Sequence, residues 1–340
     1  MSILVGEIRL RNRVLLAPMS GVSDRPFREI ADECRAGLVV TEMVASRELV
    51  EERADMVRRA ERPPAGSLFA VQLAGREPQW MAEGARIAQD LGADIIDINM
   101  GCPARQVTGG YSGSALMRDL DHAMTLVEAT VAAARVPVTL KMRLGWDETM
   151  MNAPELACRA EGAGIRMVTV HGRTRCQFYK GKANWPAIAA VKRNLKSIPL
   201  IANGDVETIA DVRTILDAAL ADGVMVGRGS YGRPWWPGVL AHMLDPDTGA
   251  PEPSLAREAE LVDRQLQSML SLYGNEHGNR IARKHLGWVV DRKSAQGRLS
   301  VAAANAWRRR LTTDPDNDRV RQALRDLYLH LADDEARAAA

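Results

Sequence analysis

Short β-branched runs alternate with segments of helical period through the first two-thirds of the chain, and this alternation narrows the fold most. The strand-like runs fall at residues 14–17, 38–41, 68–72, 95–99, 138–142, 167–170, 200–202 and 224–226. Helical periodicity occupies stretches between them, as at 80–91, 121–134, 155–161 and 209–219. Strands separated by helices pair in parallel through right-handed crossovers. About eight such units over roughly 240 residues favour a closed (β/α)8 TIM barrel over an open doubly wound sheet. The first strand-like run is not followed by G-x-G-x-x-G, which counts against a dinucleotide-binding sheet. Residues 245–253 carry three prolines and Gly249 and read as a linker. Beyond it, 255–273, 279–291, 302–310 and 318–332 all have helical period. The expected architecture is therefore α/β: a TIM barrel over 1–244, a linker over 245–253 and a small all-helical C-terminal domain over 254–333. A disordered tail is expected over 334–340.

Bulk properties exclude several classes. The net charge is only +2, so no uniform basic field demands a polyanionic partner. Cys34, Cys102, Cys158 and Cys176 form neither a C-x-x-C pair nor a metal-type spacing with histidine. Neither a disulfide framework nor a metal site is expected. The first fourteen residues contain no apolar run suited to a signal peptide or a membrane span, and a reducing cytoplasm is the expected setting.

Chemistry in a TIM barrel gathers at the C-terminal strand ends. Read in order, those ends carry Pro18, Met19 and Ser20; Glu42; Gln72; Asn99 and Cys102; Lys141 and Arg143; His171 and Arg173; Asn203, Gly204 and Asp205; and Gly227 with Arg228. The glycine-flanked loops after the last two strands suit a phosphate, with Arg228 adding a donor fork, although glycine is also the default turn residue. Lys141 could send its ammonium to solvent along a packed stem, or it could face an anionic partner. His171 reads as a hydrogen-bonded core histidine or, by its place on the rim, as a site residue. Cys102 reads as a small buried hydrophobe or as a general acid: Gly101 and Pro103 constrain its backbone, and an unperturbed thiol is mostly protonated at neutral pH.

These residues lie within APMSGVSDRPFR at 17–28, TEMV at 41–44, VQLAG at 71–75, DINMGCPARQVTGGYSGSALM at 97–117, LKMRLGWD at 140–147, TVHGRTR at 169–175, IANGDV at 201–206 and MVGRGSYGRPW at 225–235. With RIARKHLGW at 280–288, the set resembles the tRNA-dihydrouridine synthases, most closely their bacterial B type, over nearly the whole chain. The resemblance implies a flavin-binding barrel and a helical tRNA-binding domain. Bound FMN, reduced by NADPH, would reduce a D-loop uridine of tRNA to 5,6-dihydrouridine. The B-type likeness points to position 17. It implies that Pro18, Met19 and Ser20 line the flavin and that Gln72, Lys141 and His171 contact it. Asn203, Gly204, Asp205, Gly227 and Arg228 would hold its phosphate end, and Cys102 would donate the proton. Asn99 and Arg143 would border flavin and uracil. Tyr111 would touch the substrate loop or pack on the surface. A monomer is implied, with no membrane or DNA partner.

The helical region adds Arg280, Arg283, Lys284, Arg292 and Lys293, then Arg298 and Arg308 to Arg310. Such runs are often solvated faces; beside an RNA-modifying barrel they read as a phosphate-tracking surface. Trp288 reads as a core residue of this domain. Two other readings stay open: an FMN barrel acting on a small pyrimidine-like or enone substrate, and a non-enzymatic RNA-binding regulator.

Overall fold

The computed structural model describes residues 3–62 and 68–339. It divides into two units: one reaches Gly229 and resumes over Trp235–Ala250, and the other comprises Ser230–Pro234 and the chain from Pro251 onward. The division falls inside the segment read as a linker. The short Ser230–Pro234 segment, read from sequence as barrel, groups with the helices.

In the first unit, β1 (Leu4–Val5) and β2 (Ile8–Arg9) form an antiparallel hairpin. The strands that follow are β3 (Val14–Leu16), β4 (Val44–Ala45), β5 (Ala70–Ala74), β6 (Ile95–Met100), β7 (Val138–Arg143), β8 (Met167–His171), β9 (Leu200–Asn203) and β10 (Gly223–Val226). They pair in parallel in the order β3-β10-β9-β8-β7-β6-β5-β4. The run 38–41 closes the circle through single bridges, Leu16 to Val39 and Val40 to Ala70. The ladder resumes only at β4, three residues beyond that run. The result is a TIM barrel, and the C-terminal region is helical.

The alternation of side chains along a strand then fixes what the barrel encloses. Ala70, Ile95, Met167, Ile201 and Met225 share one apolar cluster with Leu15, Leu38 and Val40, and Ile3, Val5 and Leu10 around the hairpin join it. This closes the end where the strands begin. Residues two and four further along project to the same side: Gln72, Asp97 and Asn99, Thr169 and His171, and Asn203. The apolar floor thus continues upward as a polar lumen.

Outer helices begin where sequence supplies caps. Asp24 accepts from the Phe27 N–H ahead of Arg25–Glu33, and Thr208 with Asp211 forms a capping box for Ile209–Ala219. The second unit contains Leu255–Tyr273, Asn275–Ala295, Val301–Thr313 and Asn317–Ala339. Its core includes Leu261, Leu266, Met269, Leu286, Val290, Leu324 and Leu327. Trp288 is half-buried and stacks on Tyr231 at 3.9 Å between ring centroids. The expected disordered tail is corrected here: the last helix continues through Ala339, and Ala340 lies outside the described residues. Among the described residues no helix is long and apolar enough to cross a membrane.

Candidate active site

Cys102 sits just beyond β6, on a turn whose backbone is held from three sides. Asn99 Oδ1 accepts from the N–H groups of Gly101 (3.1 Å) and Cys102 (3.0 Å). The Cys102 carbonyl accepts from Ser114 Oγ at 2.8 Å and from the Ser114 N–H at 3.1 Å. Gly113 lies against the turn with φ of +61°, and a Cβ there would stand 2.8 Å from Cys102 O. Only glycine fits that approach. Burial pushes the Cys102 thiol up; the Ala104 N–H and the charges of Arg143 and Lys141 oppose it without reversing it. The group is a protonated thiol at neutral pH, suited to giving a proton and poorly suited to nucleophilic attack.

Gln72 and Asn99 are less available to a ligand than the sequence implied. Asn99 Nδ2 donates to Gln72 Oε1 at 2.7 Å, and Gln72 Nε2 donates to Asp97 Oδ2 at 2.6 Å. Thr139 Oγ1 donates to the other Asp97 oxygen at 2.6 Å. Burial raises the Asp97 carboxyl above its ordinary value; Thr139, Gln72 and the Lys141 charge oppose this without reversing it. Arg143 is also redirected. Its guanidinium is 2% exposed and donates to the carbonyls of Gly101 (2.8 Å), Thr174 (2.9 Å) and Phe178 (2.8 Å). It ties the Cys102 turn to the loop after β8, and burial lowers its pKa to about 10.

Lys141 and His171 keep capacity to bind. The Lys141 ammonium donates to Asn203 Oδ1 at 3.3 Å, and an ammonium has three protons to give. Burial lowers its pKa to about 8, against the raising effect of Asp97. In the unfolded chain the proton is held to about 10.5, so between these values the unfolded chain binds more proton than the folded one. Stability contributed by this residue therefore rises with pH from about 8 to 10.5. The ligand-free protein should gain urea resistance over that window relative to Lys141→Met; identical pH slopes would refute a buried ammonium. His171 is buried, and its Nδ1 has no hydrogen-bond partner among the described residues. Burial, then Arg143, Lys141, Arg173 and Arg228, hold its pKa well below the ordinary value, so the ring is neutral.

The cup after β9 and β10 is organised around Asp205. Asp205, with φ of +53°, is half-buried there. Its carboxylate accepts from Arg173 Nη1 (3.0 Å) and Nη2 (2.6 Å), from Arg228 Nη2 (2.9 Å) and from the Ala183 N–H (2.8 Å). Burial alone would raise this carboxyl; the Arg173 and Ala183 hydrogen bonds and both arginine charges outweigh it and hold the pKa low. Arg173, 1% exposed, is thus the buried partner of Asp205; the sequence reading set it on the rim but gave it no partner. Gly204 has φ of +122°, and a Cβ there would come within 2.8 Å of Ala183 Cβ. A Cβ at Gly227 would meet Met19 Sδ at 3.6 Å, which brings the first loop to the same cup. Pro18 precedes Met19 in that loop, and Ser20 is exposed there. Glu42 is buried and accepts from the Gly21 N–H, so it braces the loop. Tyr111 is 67% exposed on the loop after Cys102.

In the helical unit the basic residues separate. Lys293 is 4% exposed and pairs with Glu258 at 2.5 Å, so it is corrected from a surface contact to a core ion pair. Arg280 is exposed and pairs with Glu276; Arg283 donates to Asn279 Oδ1 at 3.2 Å; Arg292 donates to the Tyr231 carbonyl at 3.3 Å. Lys284 is exposed. Arg308 pairs with Asp291 and Arg310 with Asp326.

The dihydrouridine synthase family model matches residues 15–331. A probable tRNA-dihydrouridine synthase of Rhizobium leguminosarum bv. phaseoli is 60% identical over 287 residues, covering 83% of this chain and 86% of the relative. The tRNA-dihydrouridine synthase B of Pasteurella multocida (strain Pm70) is 42% identical over 287 residues, covering 84% and 86%. Among solved structures, an amine oxidase acting on 6-hydroxypseudooxynicotine, from Pseudomonas geniculata N1, aligns with a TM-score of 0.56 at 13% identity. That alignment covers 78% of this chain and 52% of the other, about half its length, and shows a shared barrel fold. A family match over nearly the whole chain, on a barrel whose rim carries this thiol and these cations, places the protein in the dihydrouridine synthase family.

Proposed function

We propose that the protein is an FMN-dependent, NADPH-driven tRNA-dihydrouridine synthase that reduces a D-loop uridine, with Cys102 as proton donor. The observation that carries this reading is the protonated thiol held on a braced turn beside a cation-lined cup. The residues fit a flavin mononucleotide. Among the described residues His171 Nδ1 is buried without a partner, and Lys141 retains protons to donate. Lys141 and His171 would face the ring system, while Arg228 and the backbone around Gly204 and Gly227 would take the phosphate. Asp205 would hold Arg173 and Arg228 in place rather than touch the phosphate. When bound, the flavin supplies the hydride.

The chain's own residues then have separable tasks. Lys141 compensates negative charge on its neighbour. Cys102 gives its proton to carbon 5 of the uracil. Arg143 and Asn99 keep the Cys102 turn in place. A stacked base is out of reach of such a lumen, so the uridine must be turned out of the tRNA stack. Arg280, Arg283 and Lys284 would supply phosphate contacts from the helical unit, and Arg292 could add one only by leaving the Tyr231 carbonyl. Such a reaction on tRNA belongs in the cytoplasm.

Purified protein should show a flavin absorption spectrum, and NADPH should bleach it. tRNA lacking dihydrouridine should restore the oxidised spectrum, whereas free uridine should not. Equal reoxidation by free uridine would indicate a small-substrate reductase. A colourless protein that binds tRNA would indicate a regulator.

A further inference from the structure

Asp97 has no part in the chemistry above, yet it anchors a hydrogen-bonded chain that ends on the Cys102 backbone. Thr139, Asp97, Gln72 and Asn99 are all buried, and they come from three adjacent strands. Gln72 stands opposite Asp97 in the β5–β6 register, and Thr139 stands opposite Asp97 in the β6–β7 register. The order is Thr139 Oγ1 to Asp97, Gln72 Nε2 to Asp97, Asn99 Nδ2 to Gln72 Oε1, and the Gly101 and Cys102 N–H groups to Asn99 Oδ1.

The direction of that chain is forced from its ends. Two backbone N–H groups can only donate, so Asn99 must turn its oxygen to them. Its nitrogen then requires an acceptor, which is Gln72 Oε1. Gln72 must in turn offer its nitrogen to Asp97. A carboxylate offers no donor, so it admits this orientation of both amides and excludes the reverse. An amide at position 97 would admit either. We propose that Asp97 is a positioning residue that sets, through Gln72 and Asn99, the amide polarity on which the Cys102 turn is held.

The test exchanges carboxylate and amide along the relay. In Asn99→Asp the new carboxylate still accepts from Gly101 and Cys102 but has nothing to donate to Gln72 Oε1. Gln72 then faces a carboxylate at each end and can satisfy only one. In the double variant Asp97→Asn/Asn99→Asp, Gln72 turns over, gives its nitrogen to residue 99 and takes a hydrogen bond from residue 97. The relay is complete again with reversed polarity and unchanged total charge. Turnover with saturating tRNA, flavin content and melting temperature are measured for wild type, both single variants and the double. Asn99→Asp should lose about 100-fold in turnover, the scale expected for a buried polar group left unpaired at the site. Asp97→Asn should lose only a few-fold, and the double variant should recover at least about tenfold over Asn99→Asp, a non-additivity that marks direct coupling. Melting temperature should follow the same order. A double variant no faster and no more stable than Asn99→Asp overturns the relay. Recovery of melting temperature without recovery of turnover overturns the positioning of Cys102 and leaves only a structural chain. The turnover arm rests on the function proposed above. If wild type itself makes no dihydrouridine, that function fails, and the melting comparison still decides the relay. If Asn99→Asp does not fold, folding of the double variant supports the relay and its failure overturns it.

Discussion

Cys102→Ala should bind flavin and oxidise NADPH at the wild-type rate while dihydrouridine formation falls by about 10²- to 10⁴-fold, the usual range for loss of a positioned general acid. The separation follows from where the thiol acts. Removing Sγ leaves the backbone contacts of Asn99, Ser114 and Arg143 with this turn in place, because all of them are made to main-chain atoms. The cup around Arg228 and Gly204 is also unchanged. What is lost is a proton held ready on a group whose pKa burial keeps above its ordinary value. The sign of the pH dependence follows. An acid works only while protonated, so wild-type turnover should hold through neutral pH and fall as pH rises past the thiol pKa, and that alkaline limb should vanish in the variant's residual rate. The decisive measurement is single turnover of prereduced protein with unmodified tRNA. Undiminished dihydrouridine formation in that experiment would remove Cys102 from the chemistry.

How much of this was legible in the sequence depended on whether a residue's position or its partner was at stake. Strand parity alone places Asp97, Asn99, Lys141 and His171 toward one lumen, because side chains two apart on a strand share a face. The barrel was legible from the alternation of strand-like and helical segments, apart from the run 38–41, which makes only single bridges before β4. Partners were not legible. Nothing local tells that Gln72 and Asn99 bond each other, or that Arg143 turns to three carbonyls. Asp205 follows a glycine in a phosphate-type loop, and only folding brings Arg173 and Arg228 to its carboxylate. Two errors did leave a trace. Asp97 precedes Asn99 by two residues, so it had to share the lumen. Lys293 follows Leu286, Val289 and Val290 at seven, four and three residues, which puts it on the buried stripe of its helix rather than on the solvent face.

Asp205→Asn should produce the largest loss of stability among the substitutions considered. Asparagine tolerates the left-handed backbone at this position and matches the shape of aspartate, so the change isolates the charge. Arg173 would remain 1% exposed with its carbonyl contacts to Lys180 and Gly181 but without a counter-ion. Breaking one side of a buried pair costs about 3 kcal/mol at the low end of the usual range, and the low end applies because Asp205 is itself partly exposed. For a domain of this size that is a fall of about 6–12 °C in melting temperature. Arg228 would lose the same carboxylate, so flavin retention should weaken together with stability. The pH dependence separates this cause from a general packing defect. A carboxyl held below its ordinary pKa contributes stability that is complete above the unfolded value and is lost as pH falls through the folded one. The gap between wild type and variant should therefore be widest at neutral pH and close in acid, read from melting curves of flavin-free protein. A gap of constant size down to acid pH would mean that the shape of residue 205, and not its charge between two arginines, holds the cup together.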